Sequence, residues 1–151
     1  MSEPLIHARG LTKTYGDFVA VDGIDFDVAK GESFGFLGPN GAGKSTTMRI
    51  IGATSVRTSG TLTILGKDPE VNGPQIRAHL GVVPQQDNLD MELTVSENIF
   101  IYGRYFGLSS KFINKKIPDL LEFAQLEEKK DVKVQALSGG MKRRLTIARS
   151  L

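Results

Sequence analysis

The residues best suited to bind a ligand or take part in chemistry lie in one glycine-rich stretch, which ends in a lysine and two hydroxyl side chains. It reads Gly38-Pro39-Asn40-Gly41-Ala42-Gly43-Lys44-Ser45 and is followed by Thr46. Glycines let the backbone curl so that successive amides point inward, which makes a concave site for phosphate oxygens. The pattern G-x-x-x-x-G-K-[ST] is that of the phosphate-binding P-loop. We therefore predict that residues 38–46 bind the phosphates of a nucleotide.

The side chains after the last loop glycine divide the phosphate contacts among themselves. Lys44 can reach the β- and γ-phosphates, the Ser45 hydroxyl can bind Mg²⁺, and Thr46 can bond the α-phosphate. A helix that begins near Lys44 also directs its positive N-terminus at the ligand. We predict Lys44 as a catalytic and binding residue and Ser45 as a metal ligand.

A second string of unusual composition begins 93 residues after Lys44 and reads Leu137-Ser138-Gly139-Gly140. Ser138 is a typical N-cap, and the two glycines leave helix amides bare, so this too is a potential anion-binding helix end. Alone, the string is explained by an ordinary capped helix. In a chain that also has a P-loop, the ordinary capped helix is no longer the better explanation, because one nucleotide does not need two anion-binding helix ends.

In combination, the two strings resemble the nucleotide-binding domain of ABC ATPases, and the resemblance extends over essentially all 151 residues. It implies ATP as the ligand, with Mg²⁺. It also implies a second nucleotide-binding domain, paired head to tail. Ser138, Gly139 and Gly140 of one domain would then close on the γ-phosphate held by the other's P-loop.

Two further residues match positions of that family. Tyr15 matches the aromatic residue that stacks on adenine, and an ordinary strand tyrosine is the alternative interpretation. Val83-Pro84-Gln85-Gln86 matches the segment whose glutamine meets Mg²⁺ and the attacking water. The resemblance places that catalytic and metal-binding role on Gln85, with Gln86 as the alternative.

Within the family, the stretches around both motifs look most like exporter-type ATPases that work with a separate permease. This group includes the nodulation-factor, lipooligosaccharide and drug exporters. The resemblance implies a cytoplasmic subunit, held at the inner face of the membrane by an integral-membrane permease. The helical segment between the motifs would receive the permease, which itself selects the substrate.

Hydrolysis in this family also needs an apolar strand ending in Asp-Glu, and later a histidine, after the LSGG helix. Neither precedes Leu151, and Asp25, Asp27 and the Glu127-Glu128 pair lie in the wrong patterns to replace them. We expect ATPase activity of the parent protein, none of the 151-residue chain alone, and a truncation of a longer domain.

Two other functions stay open. One is a non-catalytic nucleotide-binding fragment. The other is a non-transport ABC ATPase of DNA repair, chromosome organisation or translation. Against the second, no heptads separate the two motifs, there is no cysteine for zinc, and aromatic and basic residues do not interleave. We expect no nucleic-acid partner.

Composition bounds the remaining possibilities. The chain has a net charge of +2, no cysteine and 17 glycines. The absence of cysteine excludes a disulfide scaffold, thiolate metal ligands and a cysteine nucleophile. No apolar run approaches ~18 residues and no basic-then-apolar leader opens the chain, so we expect neither a membrane span nor a secretion signal.

The elements that must position these residues follow from hydropathy patterns. Alternation predicts strands before the P-loop, with a turn at Gly16-Asp17. The loop itself should join a buried parallel strand to a short helix that ends at Gly52. The expected elements are strands at 24–28, Phe34–Leu37, Thr61–Leu65 and Leu80–Val83, and a helix at Lys44–Ile51.

The C-terminal part has helical periodicity. Thr94 and Glu97 form a capping box, and Ser138 should cap a last helix. Two apolar stripes follow the capping box: Val95, Ile99, Tyr102 and Phe106, then Ile113, Ile117, Leu120, Leu121 and Ala124. Pro118 either kinks the second helix or begins a new one.

The predicted fold is therefore α/β. The resemblance specifies a P-loop NTPase of ABC type, with an N-terminal antiparallel β region, an incomplete RecA-like core and a helical subdomain. The expected divisions are residues 1–88, 89–137 and 138–151.

Overall fold

The N-terminal residues form a three-stranded antiparallel sheet. In the computed structural model, which describes residues 4–151, its strands are β1 (Ile6–Tyr15), β2 (Phe18–Val28) and β3 (Ser59–Ile64), in the order β2-β1-β3. The β1–β2 connection at Gly16-Asp17 is the predicted turn, and Gly16 has the positive φ of 57° that such turns favour. The predicted antiparallel β region is confirmed.

Two helices cover the apolar side of this sheet. α1 (Lys44–Ile51) has the predicted bounds, and α2 (Pro69–Arg77) was not predicted. Signals for α2 were present, because Asp68 accepts a hydrogen bond from the Glu70 amide at 2.8 Å and proline occupies the first helical position. The shared core consists of side chains almost without exposure: Ala8, Leu11, Ile50, Leu62, Ile64 and Ile76.

Two predicted strands are wrong. Phe34–Leu37 and Leu80–Val83 have no strand partner in the described part of the chain, and Leu37 is 99% exposed. An apolar run becomes a strand only where a neighbouring backbone satisfies its amides and carbonyls. Residues 34 and 36 nevertheless keep the same-side geometry of an extended chain, since both phenyl rings contact Phe26.

The remaining residues are helical. The helices are α3 (Val95–Tyr105), α4 (Ser110–Ala124) and α5 (Gly139–Ala148), with single 3₁₀ turns at Glu127–Lys129 and Val134–Ala136. Their core contains fully or almost fully buried side chains from all three helices: Val95, Ile99, Leu121, Ala124, Leu145 and Ala148. Pro118 lies inside α4 and does not begin a new helix.

The α3 capping box forms as predicted. Thr94 Oγ1 accepts from the Glu97 amide at 3.2 Å, and Glu97 Oε2 accepts from the Thr94 amide at 2.8 Å. The hydrogen bond from the Thr94 amide is the main reason that the pKa of the Glu97 carboxyl lies below its usual range. Thus two local residues fix the start of the helical region.

The chain divides into two compact units, one ending at Leu80 and one spanning Gly81–Leu151. The first holds the sheet, α1 and α2, and the second holds α3, α4 and α5. The division expected from the sequence stays a prediction. Over residues 4–151, none of the helices has both the length and the hydropathy that crossing a bilayer requires.

Candidate functional site

The predicted phosphate loop leads directly into α1. Gly41 and Gly43 have positive φ angles of 88° and 80°, the conformation that lets the loop turn tightly. Gly43 is the N-cap residue, so no side chain caps the helix, and the first turn contains no acidic residue. The N-terminal amides of α1 are therefore available to an anion.

Gly43 is required by its surroundings as well as by its φ angle. A Cβ atom there would lie 2.2 Å from the carbonyl oxygen of Ala20 and 3.2 Å from Val21 Cγ2. Both neighbours belong to β2, so the loop lies directly against that strand. The sheet thereby fixes the position at which α1 begins.

The Lys44 ammonium folds back over the loop. Its Nζ donates to the carbonyl oxygens of Gly38 at 2.7 Å and Pro39 at 2.6 Å. These acceptors are neutral, whereas a phosphate oxygen carries negative charge and adds a Coulombic attraction to the hydrogen bond. A phosphate oxygen entering the loop is therefore a better partner for Lys44 than the carbonyls it now binds.

The hydroxyl residues of α1 have different surroundings. Thr47 is buried, and its Oγ1 donates to the Gly43 carbonyl at 3.0 Å, which fixes the first turn. Ser45 is exposed, and its hydroxyl makes no hydrogen bond among residues 4–151. Thr46 is half-buried. Ser45 thus has the free oxygen that a metal ligand needs.

These residues fit the phosphates of a nucleotide bound with Mg²⁺. The loop offers bare amides, an ammonium and a free hydroxyl within a few residues of one another. Among residues 4–151 there is no cluster of three or more His, Asp or Glu side chains arranged to hold a metal. Because Mg²⁺ is usually held by few protein ligands together with substrate phosphates and water, one hydroxyl is consistent with its requirements.

Tyr15 lies at the end of the same hairpin. It pairs with Phe18, the residue is 49% exposed, and Lys13 Nζ lies 4.9 Å from the ring centroid. Ala20, which touches the loop, follows Phe18 by two residues, or about 7 Å along the strand. This places an exposed aromatic ring and the P-loop at the same end of the β1–β2 hairpin, which suits stacking on a base.

The residues before the loop are anchored by aromatic contacts. The rings of Phe34 and Phe36 lie 5.7 and 5.1 Å from that of Phe26, and 5.2 Å from each other. Since Phe26 is a buried residue of β2, this cluster ties the entry of the loop to the sheet. The cluster was not predicted, although the alternation of Phe34 and Phe36 was a signal for it.

The second predicted anion site lies at the start of α5. Ser138 accepts from the Met141 amide at 3.3 Å, as predicted for an N-cap. Gly139 and Gly140 are exposed, and a Cβ atom at either would meet nothing within 4 Å. Glycine weakens a helix by up to about 1 kcal/mol relative to alanine, so local packing does not explain either residue. Close approach of an external group would explain both.

Gln85 lies in the irregular segment before α3, beside Gln86, and both are exposed. The predicted residues are therefore divided between the two units. Tyr15 and residues 38–46 belong to the first, and Gln85 and Ser138–Gly140 belong to the second. Their roles in binding and catalysis stay predictions.

Arg143 and Arg144 of α5 both bond to residues far along the chain, and Arg143 holds the segment that contains Gln85. Arg143 Nη1 donates to the Pro84 carbonyl at 2.6 Å and lies 3.4 Å from Asp87 Oδ1. Arg144 Nη1 donates to Gln125 Oε1 at 2.7 Å. The sequence contains no signal for these partners, because they lie far from the arginines along the chain.

Comparison with protein families identifies a match over most of the chain. The model of the ABC transporter family matches residues 21–151. Nod factor export ATP-binding protein I of Ralstonia nicotianae is 53% identical over 150 residues, which cover 99% of this chain and 47% of that protein. The protein of the same name from Cupriavidus metallidurans is 52% identical, over 97% of this chain and 48% of its own length. The chain thus spans about half the length of these curated relatives.

Solved structures agree with the family match. An ATP-binding subunit of an ABC transporter superposes with a TM-score of 0.80 at 28% identity, covering 96% of this chain and 60% of that one. Clostridium perfringens cbiO1, part of the ABC transporter complex cbiONQ, gives a TM-score of 0.86 at 25% identity. It covers 99% of this chain and 61% of its own. The predicted ABC-type α/β fold is confirmed.

Proposed function

Since the chain belongs to the ABC transporter family, we propose that it forms the MgATP-binding part of a subunit that drives export through a separate permease. The observation that carries this proposal is the start of α1. Its uncapped amides, the Lys44 ammonium and the free Ser45 hydroxyl converge on one loop. Relatives named for Nod factor export support export as the process.

Each predicted residue has a role in this proposal. Residues 38–46 would surround the phosphates, and all of them except Pro39 carry a backbone N–H group. They are Gly38, Pro39, Asn40, Gly41, Ala42, Gly43, Lys44, Ser45 and Thr46. Lys44 leaves the loop carbonyls for the β- and γ-phosphates, and the Ser45 hydroxyl turns to the metal. Tyr15 stacks on the base. Bound MgATP would supply the phosphoryl group that is transferred to water, and Gln85 would orient that water and help to hold the metal.

The α5 start is proposed to act on a second copy. The backbone amides of Ser138, Gly139 and Gly140 bond to no group of the described residues. The next amide that needs a partner, that of Met141, is bonded to the Ser138 hydroxyl. In a head-to-tail pair they would meet the γ-phosphate bound to the partner's P-loop. ATP then stabilises the pair because it binds the closed state with two surfaces.

The permease is proposed to dock on the helical unit. A groove of about 420 Å³ lies between residues 84–93 and α3, and the exposed side chains of Ile101 and Tyr105 line it. Docking there would hold the subunit at the inner face of the membrane. The similarity to cbiO1, part of a transporter complex, supports a membrane partner and gives no support for nucleic acid.

Hydrolysis is proposed to need carboxylates beyond those described. Between residues 4 and 151 no apolar strand ends in an Asp-Glu pair. These residues would then bind MgATP without turning it over, and the complete gene product would hydrolyse it. The alternative of a non-catalytic nucleotide-binding protein predicts binding without turnover in the complete gene product as well.

Gly140→Asp tests the role of the α5 start. A carboxylate at this position would face the γ-phosphate, so MgATP-dependent dimerisation should weaken about tenfold or more, since close like charges repel. Acidic residues suit a helix N-terminus, so α5 itself should remain folded. Analytical ultracentrifugation with a non-hydrolysable ATP analogue measures the dimerisation.

The matched control is Gln135→Asp, which adds the same charge at an exposed position five residues earlier. It should leave dimerisation and MgATP affinity unchanged. Equal dimerisation of the Gly140→Asp variant and the original protein would contradict the proposed contact.

A further inference from the structure

One face of α5 is devoted to the segment that carries Gln85. Arg143, Thr146 and Ser150 are spaced by three and four residues, so they lie on one side of the helix and of the turn that ends it. Arg143 Nη1 donates to the Pro84 carbonyl at 2.6 Å, and Ser150 Oγ lies 3.3 Å from the Val82 carbonyl. The Arg143 bond holds the backbone at Pro84, whereas the Ser150 hydroxyl lies closer to the Thr146 carbonyl oxygen, at 2.9 Å, than to that of Val82.

Asp87 completes this attachment on the other side of Gln85. Its Oδ1 lies 2.9 Å from Thr146 Oγ1 and 3.4 Å from Arg143 Nη1, and it shares the single proton of the Thr146 hydroxyl with the Lys142 carbonyl oxygen, also at 2.9 Å. Thr146 has no exposed surface, and the Asp87 side chain is only 26% exposed. Hydrogen bonds to an ionised carboxylate are stronger than neutral ones, so this is the principal side-chain contact between α5 and the segment.

The backbone approaches closely at the start of the segment. A Cβ atom at Gly81 would lie 2.4 Å from the Ser150 carbonyl oxygen, so glycine is needed there. Gln85 lies between the anchors at Pro84 and Asp87. Its own side chain is exposed and makes no hydrogen bond among residues 4–151. The backbone on both sides of Gln85 is thus held, while the side-chain amide of Gln85 is free.

We infer that Asp87 is a positioning residue for Gln85, which acts by fixing residues 82–87 on α5 through Thr146 and Arg143. The segment then moves with the helix whose start carries Ser138, Gly139 and Gly140. Contact between that start and a nucleotide held by a second copy would therefore also move Gln85 of the same chain. The inference rests on the proposed function for the roles of Gln85 and of the α5 start.

Three variants of the complete gene product test this inference: Asp87→Asn, Thr146→Val and Arg143→Met. Thr146→Val keeps the shape of the side chain and removes only the hydroxyl, so it remains informative if Asp87→Asn does not fold. We expect the backbone amides of residues 82–87 to exchange with solvent about tenfold faster, and kcat for ATP to fall about tenfold. The Kd for MgATP should stay within about twofold, because the P-loop is untouched.

Arg144→Met is the matched control, since it removes the neighbouring guanidinium of the same helix, which bonds to Gln125. It should change neither kcat nor exchange in residues 82–87. Arg143→Lys should recover part of kcat, because an ammonium can still donate to the Pro84 carbonyl.

The inference would be overturned by unchanged kcat in variants whose segment exchanges faster, or by unchanged exchange in all three variants. A failure of the proposed function is distinguishable from either result. In that case the original protein itself would neither bind nor turn over MgATP, whatever the state of residues 82–87.

Discussion

Replacement of Lys44 by alanine is expected to weaken MgATP binding by about tenfold to a hundredfold, and to abolish turnover in the complete gene product. The ammonium now donates to two neutral carbonyls, those of Gly38 and Pro39. In the complex it would donate to phosphate oxygens, and hydrogen bonds to charged groups contribute about 1.5–3 kcal/mol. Because each 1.4 kcal/mol is a factor of ten in affinity, one lost ammonium has this effect.

Titration with a fluorescent ATP analogue in the presence of Mg²⁺ measures the change in Kd. Lys67→Ala is the matched control, because Lys67 lies in the same unit and its ammonium donates to Gln75 Oε1 at 2.7 Å rather than to the loop. Its Kd should equal that of the original protein. A Lys44→Ala variant that binds MgATP with unchanged affinity would contradict the assignment of the loop.

Gly43→Ala is expected to lower the free energy of unfolding more than alanine at either of the other loop glycines, Gly38 and Gly41. The new Cβ would lie 2.2 Å from the Ala20 carbonyl oxygen, a backbone atom of β2 that cannot easily move aside because β2 is paired with β1. The positive φ of 80° adds a second cost. The loop would have to shift away from β2, so the affinity for MgATP should fall as well.

Gly31→Ala separates the two costs, because Gly31 has the same φ of 80° and open space where a Cβ would be placed. We expect it to lower the free energy of unfolding by about 1–2 kcal/mol. Gly43→Ala should lose a further ~1–3 kcal/mol from overpacking. Urea denaturation measures both, and equal losses in the two variants would contradict the close approach of loop and strand.

Elements defined by adjacent residues could be predicted from the sequence. The capping box of Thr94 and Glu97, the turn at Gly16-Asp17 and the bounds of α1 at Lys44 and Gly52 all depend on signals within four residues. Each signal satisfies backbone groups locally, so distant partners were not needed. The start of α2 carries a signal of the same local kind, in Asp68 and Pro69.

Strands that depend on distant partners could not be predicted in the same way. Phe34–Leu37 has a strand-like composition, yet nothing in the described residues pairs with it. The three rings of Phe26, Phe34 and Phe36 stabilise the segment by packing alone. Composition indicates burial of such a run, but the presence of a pairing neighbour is a property of the whole sheet.

The same difference between local and distant signals applies to the candidate site. The P-loop and Ser138 could be identified because their chemistry is contiguous in the sequence. The contacts of Asp87 with Thr146 and Arg143 join positions 59 and 56 residues apart. Their helical spacing on α5 marks a face, but no local pattern shows what that face binds.

The central claim is that the loop and the start of α1 bind the phosphates of a nucleotide. Amide hydrogen exchange followed by NMR, with and without MgATP, tests it at the atoms concerned. We predict that MgATP protects the amides of Gly41, Gly43, Lys44, Ser45 and Thr46, and that adenosine, which lacks phosphates, does not. Saturating MgATP that leaves these five amides unprotected would contradict the account.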